Sequence, residues 1–264
     1  MTYKLQHLIH HHPGCLFDFD KVKNFKKVVC TQPIHKGEII SIEHALFTFK
    51  DDTVPYIQDC IRWNKSLFEG LYPREQKWQP DFYQGKYSKE IENVCEEKLT
   101  KNRFVNEEFF ILGLETSSFN ASNDYNAGAL IFSRPSTTLN PHFITIAALR
   151  DIHVNEEICI YYFYDNNEIN LDTYYKKVEI YVNKLDEIKD QVSIQTHQHI
   201  DEYFKTRVAK LILFNQITCY QGIYNEQTLP RFYQYMRDKY GGSEPSHIKQ
   251  HRLDTENLID KFLC

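Results

Sequence analysis

The sequence predicts a mainly β fold with helices, in which short strands come first and a helical insert and a helical C-terminal region are added. β-branched and aromatic residues are concentrated in short runs at 24–49 and 143–164, and a polar turn divides each run. After residue 170 the apolar residues recur every three or four positions, which is the period of an amphipathic helix.

Length and charge restrict the class of protein. The chain has 264 residues, 42% hydrophobic and 25% charged, which is enough for one large globular domain or a domain with an appendage. The net charge of −5 argues against a protein that coats nucleic acid and is compatible with a basic protein partner. No uncharged apolar run is long enough to span a membrane, and the N-terminus lacks a signal-like apolar segment, so we expect neither membrane insertion nor secretion.

The cysteine and histidine patterns bear on metals and on compartment. The seven cysteines are scattered without a CxxC pair, which favours reduced thiols in the cytoplasm or nucleus and gives no zinc cluster. The stretch HLIHHH at residues 7–12 resembles a metal-binding tract, but we expect a solvated, irregular terminus there. We therefore predict no metal site.

The first strand region is NFKKVVCTQPIHKGEIISIEHALFTF, at 24–49. Its turn, PIHKGE, is centred on Gly37, and β-branched residues flank that turn at Val28, Val29, Ile39, Ile40 and Ile42. Residues 51–90 contain repeated proline and glycine breaks and are predicted to be an irregular insert with short helices. EIENVCEEKLTKNRF, from Glu90, has helical spacing.

The second strand region contains FITIAAL, which is predicted to be a buried strand, and ICIYYFYD, in which the two faces alternate. One face of ICIYYFYD carries Ile158, Ile160, Tyr162 and Tyr164, and the other carries Cys159, Tyr161 and Phe163. Beyond residue 170 we predict two amphipathic helices, one with its apolar stripe from Val178 to Val192 and one from Ile200 to Leu211. A short helix is expected at 255–262.

Three stretches together resemble the SET domain family of protein-lysine methyltransferases. FKKVVCTQPIHKGEII, at 25–40, resembles the family's GxGVFATxDIxKGExI, and NASNDYNA, at 120–127, resembles NHSCDPNA. ALRDIHVNEEICIYYFY, at 148–164, resembles ALRDIxxGEELTxxYxY and is the most specific of the three. The resemblance covers residues 24–49 and 111–165.

The resemblance implies a SET-domain fold, with short twisted sheets and a knot-like crossing of the polar loop and the tyrosine strand. It implies a SET domain at 1–169, with a variable insert at about 51–110 used for substrate choice, and a helical region at 170–264. The layout is most similar to the SET-and-MYND type group, without the MYND zinc module. The implied activity is methylation of a protein lysine, in a histone or another protein, with S-adenosylmethionine as cofactor.

The resemblance also assigns roles to residues. Tyr162 takes the position of the catalytic tyrosine and also contacts the cofactor, while Tyr164 would line the channel for the substrate lysine. Asn120 takes the position of the asparagine that binds the cofactor's amino-acid end, and Ala121 takes that of a histidine whose backbone reads the adenine. Without a zinc-binding segment after Tyr164, the helical region would have to supply the missing wall, with an aromatic residue such as Tyr174 or Tyr175 covering the adenine.

Methyl transfer makes specific demands on such a site. The lysine nitrogen must be aligned with the methyl group, and the lysine must be bound deprotonated, which a dry aromatic channel favours. Tyrosine hydroxyls and carbonyl oxygens around the methyl add weak CH···O contacts. No pair of acids is needed, so Glu156 and Glu157 are interpreted as the exit of a turn.

Departures from the family pattern leave other functions open. The family's two glycines, which let the backbone approach the cofactor, are Phe25 and Lys27 here. From this strand, the backbone groups of Lys27 and Val28 are the ones left to bind the cofactor. The first alternative is therefore a catalytically inactive, SET-like module that binds a protein or peptide. A scaffold acting through the C-terminal helices is a second alternative. In each case we expect a monomer in the cytoplasm or nucleus that binds protein, with no direct nucleic-acid or membrane contact.

Overall fold

The strands are short and are distributed over three sheets. The computed structural model describes residues 8–20, 25–50, 54–63, 65–71, 89–105, 109–133, 142–162 and 171–205. The strands are β1 (Leu8–His11), β2 (Cys15–Asp20), β3 (Phe25–Cys30), β4 (Ile39–His44), β5 (Phe47–Phe49), β6 (Arg103–Val105), β7 (Phe110–Leu112), β8 (Asn120–Ala121), β9 (Ala127–Ser133), β10 (His142–Ala148) and β11 (Cys159–Ile160). The helices are α1 (Val54–Trp63), α2 (Lys65–Gly70), α3 (Lys89–Asn102) and α4 (Leu171–Lys205).

The contacts divide the chain into two units. The first comprises residues 1–44, 115–132 and 143–203, and the second comprises 45–114, 133–142 and 204–264. Strands with helices, arranged in a mixed sheet and two smaller sheets, confirm the predicted fold class. The proposed boundary at residue 170 stays a prediction.

The largest sheet has six strands in the order β1-β4-β10-β9-β11-β8. β4 is antiparallel to both β1 and β10, whereas β11 runs parallel to β8 and β9. All six residues of β4 and the last six of β10 are buried. A strand buried on both faces has an almost continuous apolar sequence, which explains why FITIAAL was recognisable without alternation.

The histidine-rich start of the chain is not an irregular terminus, so that prediction is wrong. Leu8–His11 forms β1 and pairs with β4, with His10 opposite Ile42. The ring of His10 also packs on that of His199 in α4, with the ring centroids 4.0 Å apart. Pairing with a buried strand satisfies the backbone of β1, and this tertiary effect outweighs the polar composition.

β2 and β3 form an antiparallel hairpin in the first unit, with Cys15 opposite Cys30 and Asp18 opposite Lys27. Along β3 the residues alternate, because Lys26, Val28 and Cys30 are buried whereas Lys27 is only partly covered.

The second unit contains the helical insert. Its sheet has the order β5-β7-β6. Its core is an apolar cluster drawn from the sheet, α1, α2 and α3: Leu46, Phe47, Phe49, Ile57, Ile61, Phe68, Leu71, Cys95, Leu99 and Leu112. Short helices were predicted in this part of the chain, and the described parts of 51–110 contain three helices.

α4 is one continuous helix of 35 residues, so the prediction of two separate helices is wrong over the described range. The helix contains neither glycine nor proline. The apolar stripe is interrupted by Thr196, which is nevertheless fully buried and has its hydroxyl 3.4 Å from that of Thr145. The hydrogen bond lets a polar residue occupy a core position, so the buried face continues where the apolar period stops.

The helix expected at 255–262 lies outside the described residues. Among the described helices, none has the length and apolar character needed to cross a membrane.

Candidate functional site

The polar loop after Phe119 and the segment before Tyr162 lie side by side and pair with each other in the first unit. β8 and β11 pair in parallel, with Asn120 opposite Cys159 and Ala121 opposite Ile160. The N–H of Ser122 donates to the carbonyl of Ile160 at 3.2 Å, which continues the pairing beyond the strands. The loop is therefore held by backbone hydrogen bonds along its length and is not a free surface turn.

Asn126 closes this loop with its side chain. It is 1% exposed, and its Nδ2 donates to Glu156 Oε1 and to the carbonyl of Glu157, both at 2.9 Å. Its Oδ1 accepts from the N–H of Cys159, also at 2.9 Å. With both donor and acceptor capacity directed at the paired segment, Asn126 has a structural role.

Glu156 is part of the same clamp. Burial alone would raise its pKa, but hydrogen bonds from Arg150 at 2.6 Å, from the N–H of His153 and from Asn126 lower the pKa to about 2. Asn155, just before it, has a φ of 69°, a left-handed conformation that asparagine tolerates. Glu156 is thus an ionised acceptor that holds the turn, as the sequence interpretation expected.

Asn120 connects the loop to β3. Its Nδ2 donates to Glu157 Oε1 at 2.6 Å and to the carbonyl oxygen of Lys26 at 3.2 Å. A bridge between Val29 and Glu157 brings this acid against β3. Glu157 was expected only to leave the turn, so its contact with Asn120 was missed. Nothing local in the sequence indicates it, because the two residues are 37 positions apart.

Tyr162 contacts the same loop from the other segment. Its hydroxyl donates to the carbonyl oxygen of Phe119 at 3.0 Å, one residue before Asn120. Tyr162, assigned to catalysis, therefore contacts the backbone of the residue directly before Asn120, which is assigned to cofactor binding. The strand ends at Ile160, so it is shorter than the pattern predicted within the described residues, and Tyr164 lies outside them.

The remaining predicted cofactor residues lie nearby with different exposures. Lys27 forms an ion pair with Asp18 at 3.7 Å, and both side chains are substantially exposed. Val28 is fully buried, and its carbonyl accepts from the N–H of Ile158 at 2.8 Å. Ala121 is exposed. The structure thus brings Asn120 to the backbone of Lys26, while the carbonyl of Val28 is used in strand pairing.

An aromatic cluster, formed by Tyr125, Tyr161 and Tyr181, joins the loop to α4. The three rings contact one another, with centroids 5.3 to 5.4 Å apart. Burial raises the pKa of Tyr181 to about 12, and its hydroxyl accepts from the N–H of Ala129 at 3.1 Å. Burial, and then the neighbouring Tyr174, raise the pKa of Tyr161. The first turns of α4 therefore lie beside the end of β11, which is where an aromatic residue that covers the adenine is expected.

Metal ligands are not grouped in this region. Across the described ranges, no set of three or more histidine, cysteine, aspartate and glutamate side chains is arranged to hold a metal ion.

Comparison with models of protein families matches residues 26–163, more than half of the chain, to the SET domain. Among solved structures, the match includes a crystal structure of a Plasmodium falciparum protein described as a candidate histone methyltransferase. That match has 13% identity and a TM-score of 0.35, and it covers 60% of this chain and 99% of the other. No curated protein matches this chain.

Proposed function

Because the chain belongs to the SET domain family, we propose that it is an S-adenosylmethionine-dependent protein-lysine N-methyltransferase. SET domains are in general protein-lysine methyltransferases. The observation that carries the proposal is the bond from the Tyr162 hydroxyl to the carbonyl of Phe119 at 3.0 Å, directly beside Asn120, whose own amide is fixed by Glu157 and the carbonyl of Lys26. That contact joins two roles that the sequence motifs assign separately.

The residues around Asn120 suit the amino-acid end of such a cofactor. The amide nitrogen of Asn120 donates to two acceptors, so the planar amide is fixed and presents its oxygen as an acceptor for an ammonium group. Glu157 supplies a carboxylate beside it, which favours a positively charged ligand. Bound S-adenosylmethionine would supply an activated methyl group with its own leaving group.

The role of Tyr162 follows from the direction of its hydroxyl. Since that hydroxyl donates its proton to the carbonyl of Phe119, its lone pairs remain oriented as acceptors. A hydroxyl oxygen and a carbonyl oxygen held 3.0 Å apart form a pair of acceptors for weak CH···O contacts to a methyl group. Their fixed geometry lowers the cost of aligning the methyl group with a lysine nitrogen.

Tyr174 is proposed to cover the adenine. It is half-buried and close enough to Tyr161 to affect its pKa, whereas Tyr175 is 64% exposed. Tyr164 is proposed to line the lysine channel, as the motif implies. The substrate class is a lysine of a histone or another protein, and the organisation of the SET-and-MYND type group without its zinc module is part of the same proposal.

The proposed setting is a monomer in the cytoplasm or nucleus with a protein substrate. The choice of compartment is supported by Cys15, Cys30, Cys95 and Cys159, which are free thiols.

A SET-like binding module without catalysis is the second candidate function. The observation that favours it is Lys27, which stands where the family has glycine and whose side chain pairs with Asp18 at the surface. A side chain at this position limits how closely a ligand can approach the β3 backbone. The proposed enzyme must therefore bind its cofactor mainly through Asn120 and the segment from Glu157 to Tyr162.

Calorimetry of cofactor binding separates the two candidates. We expect wild-type protein to bind S-adenosylmethionine with a dissociation constant on the order of micromolar, and Asn120→Ala to weaken binding about 10-fold or more, as loss of one hydrogen bond to a charged group would. Asn123→Ala is the matched control, because Asn123 lies on the same loop but is exposed. Absence of binding at millimolar ligand would favour the binding module.

Transfer of a labelled methyl group tests catalysis directly. The wild-type protein should label a lysine in histones or in a cell lysate, and Tyr162→Phe should reduce the rate by about 100-fold while leaving cofactor affinity within a few-fold. If Tyr162→Phe has the rate of the wild-type protein, the assignment of Tyr162 is wrong.

A further inference from the structure

A buried carboxyl pair lies directly behind the candidate site in the first unit. Glu43 in β4 is fully buried and accepts three hydrogen bonds: from the N–H of Glu115 at 3.1 Å, from the N–H of Thr116 at 2.7 Å and from the Thr116 hydroxyl at 2.6 Å. Glu43 thus serves as the acceptor at the start of the 3-10 turn formed by residues 116–118.

The second acid of the pair, Glu115, is 1% exposed. Burial, and then the charge and hydrogen bond of Glu43, raise the pKa of Glu115 well above its usual range, while Lys26 opposes the shift. The two buried carboxyl groups therefore interact directly, and the Lys26 side chain, which is also buried, lies close enough to act on the same pair.

Both candidate site residues are attached to backbone that this cluster holds. The turn fixed by Glu43 runs straight into Phe119, whose N–H bonds back to Thr116 and whose carbonyl accepts from Tyr162. The carbonyl of Lys26 accepts from Asn120. One buried cluster thus holds both the turn and β3, and each of them carries a backbone carbonyl that contacts a candidate site residue.

We propose that Glu43 is a positioning residue for Asn120 and Tyr162, acting through the turn at residues 116–118. The inference deepens the proposed function and rests on it for the catalytic consequence. A shift of about 1 Å in the Phe119 carbonyl would move the acceptor of the Tyr162 hydroxyl, and misplacement of that size costs about 100-fold in rate.

A pair of isosteric variants distinguishes the two acids. Glu43→Gln replaces one accepting oxygen with an NH₂ group that faces donors, so the turn loses part of its anchor. Glu115→Gln keeps a side chain of the same size and leaves the three bonds to Glu43 in place, so it should behave like the wild-type protein. Hydrogen exchange of the amides of residues 116–120 should accelerate about 10-fold or more in Glu43→Gln and less than about 3-fold in Glu115→Gln, with α3 unchanged in both.

Turnover then tests positioning. In Glu43→Gln we expect kcat to fall by about 10- to 100-fold with a smaller change in KM for the cofactor, whereas a residue needed only for stability would leave kcat of the folded protein unchanged. The inference is overturned if exchange at residues 116–120 stays at the wild-type rate, if Glu115→Gln accelerates it equally, or if exchange accelerates while kcat does not change.

A milder pair keeps the inference testable if Glu43→Gln does not fold. Thr116→Val removes the hydroxyl that donates to Glu43 and should accelerate exchange and lower kcat, and Thr116→Ser, which keeps the hydroxyl, should restore both. Equal behaviour of the two variants would refute the inference. Failure of the wild-type protein to bind S-adenosylmethionine would instead refute the proposed function, and the exchange measurement would still decide the role of Glu43.

Discussion

Replacing Asn126 with alanine should destabilise the fold by about 3 kcal/mol. The substitution deletes three hydrogen bonds of 2.9 Å at a site that is 1% exposed. The N–H of Cys159 then loses its side-chain acceptor, at a cost of about 1–3 kcal/mol, and the two bonds donated to residues 156 and 157 add about 1 kcal/mol each. Relaxation and entry of water reduce the sum, which gives about 3 kcal/mol, a large part of the stability of a typical domain.

Urea unfolding monitored by circular dichroism measures this change. The control is Asn123→Ala, because Asn123 is exposed on the same loop and accepts a long, exposed bond from Lys177 at 3.3 Å; we expect a change below about 0.5 kcal/mol. The two variants must have the same slope against urea for their midpoints to be comparable. If Asn126→Ala costs no more than Asn123→Ala, the loop is not clamped as described.

Three further predictions concern the contacts of α4. Burial and the neighbouring His199 lower the pKa of His10 to about 4, so the unfolded chain binds a proton that the folded chain excludes between pH 6.5 and 4. The free energy of unfolding should therefore decrease as the pH is lowered from about 6.5 to about 4. His10→Asn should flatten the slope of the urea midpoint against pH. Gly128→Ala should destabilise by about 1–3 kcal/mol, because its Cβ would lie 2.6 Å from Leu185 Cδ2; an unchanged melting temperature would refute this. Tyr181→Phe should cost about 1 kcal/mol in urea unfolding, since a backbone N–H loses its acceptor, and a cost near zero would count against that bond.

Features fixed by local chemistry were predictable from the sequence. The buried strand at β10 is marked by its apolar, β-branched run, and the left-handed Asn155 lies in the turn VNEE.

Features fixed by distant partners were not predictable. β1 is a strand because β4 pairs with it, although its histidines give little sign of a strand. The buried face of α4 continues through Thr196, whose hydroxyl bonds to that of Thr145, although the apolar period in the sequence is interrupted at this residue. The bond from Asn120 to Lys26 spans 94 positions, so no local pattern could reveal which carbonyl it meets.

The partners of the polar loop have a consequence for how the chain is made. The acceptor of Asn120 at Glu157 is 37 residues further on, so a ribosome adds it about 2 to 7 seconds later at ordinary elongation rates. Until residues 156–160 emerge, Asn120 lacks its acceptor on Glu157, and Asn126 lacks its bonds to residues 156, 157 and 159. The half of the site assigned to the cofactor is therefore completed only after residue 160 has been added, and a nascent chain that stops earlier carries the loop motif without the contacts that fix it.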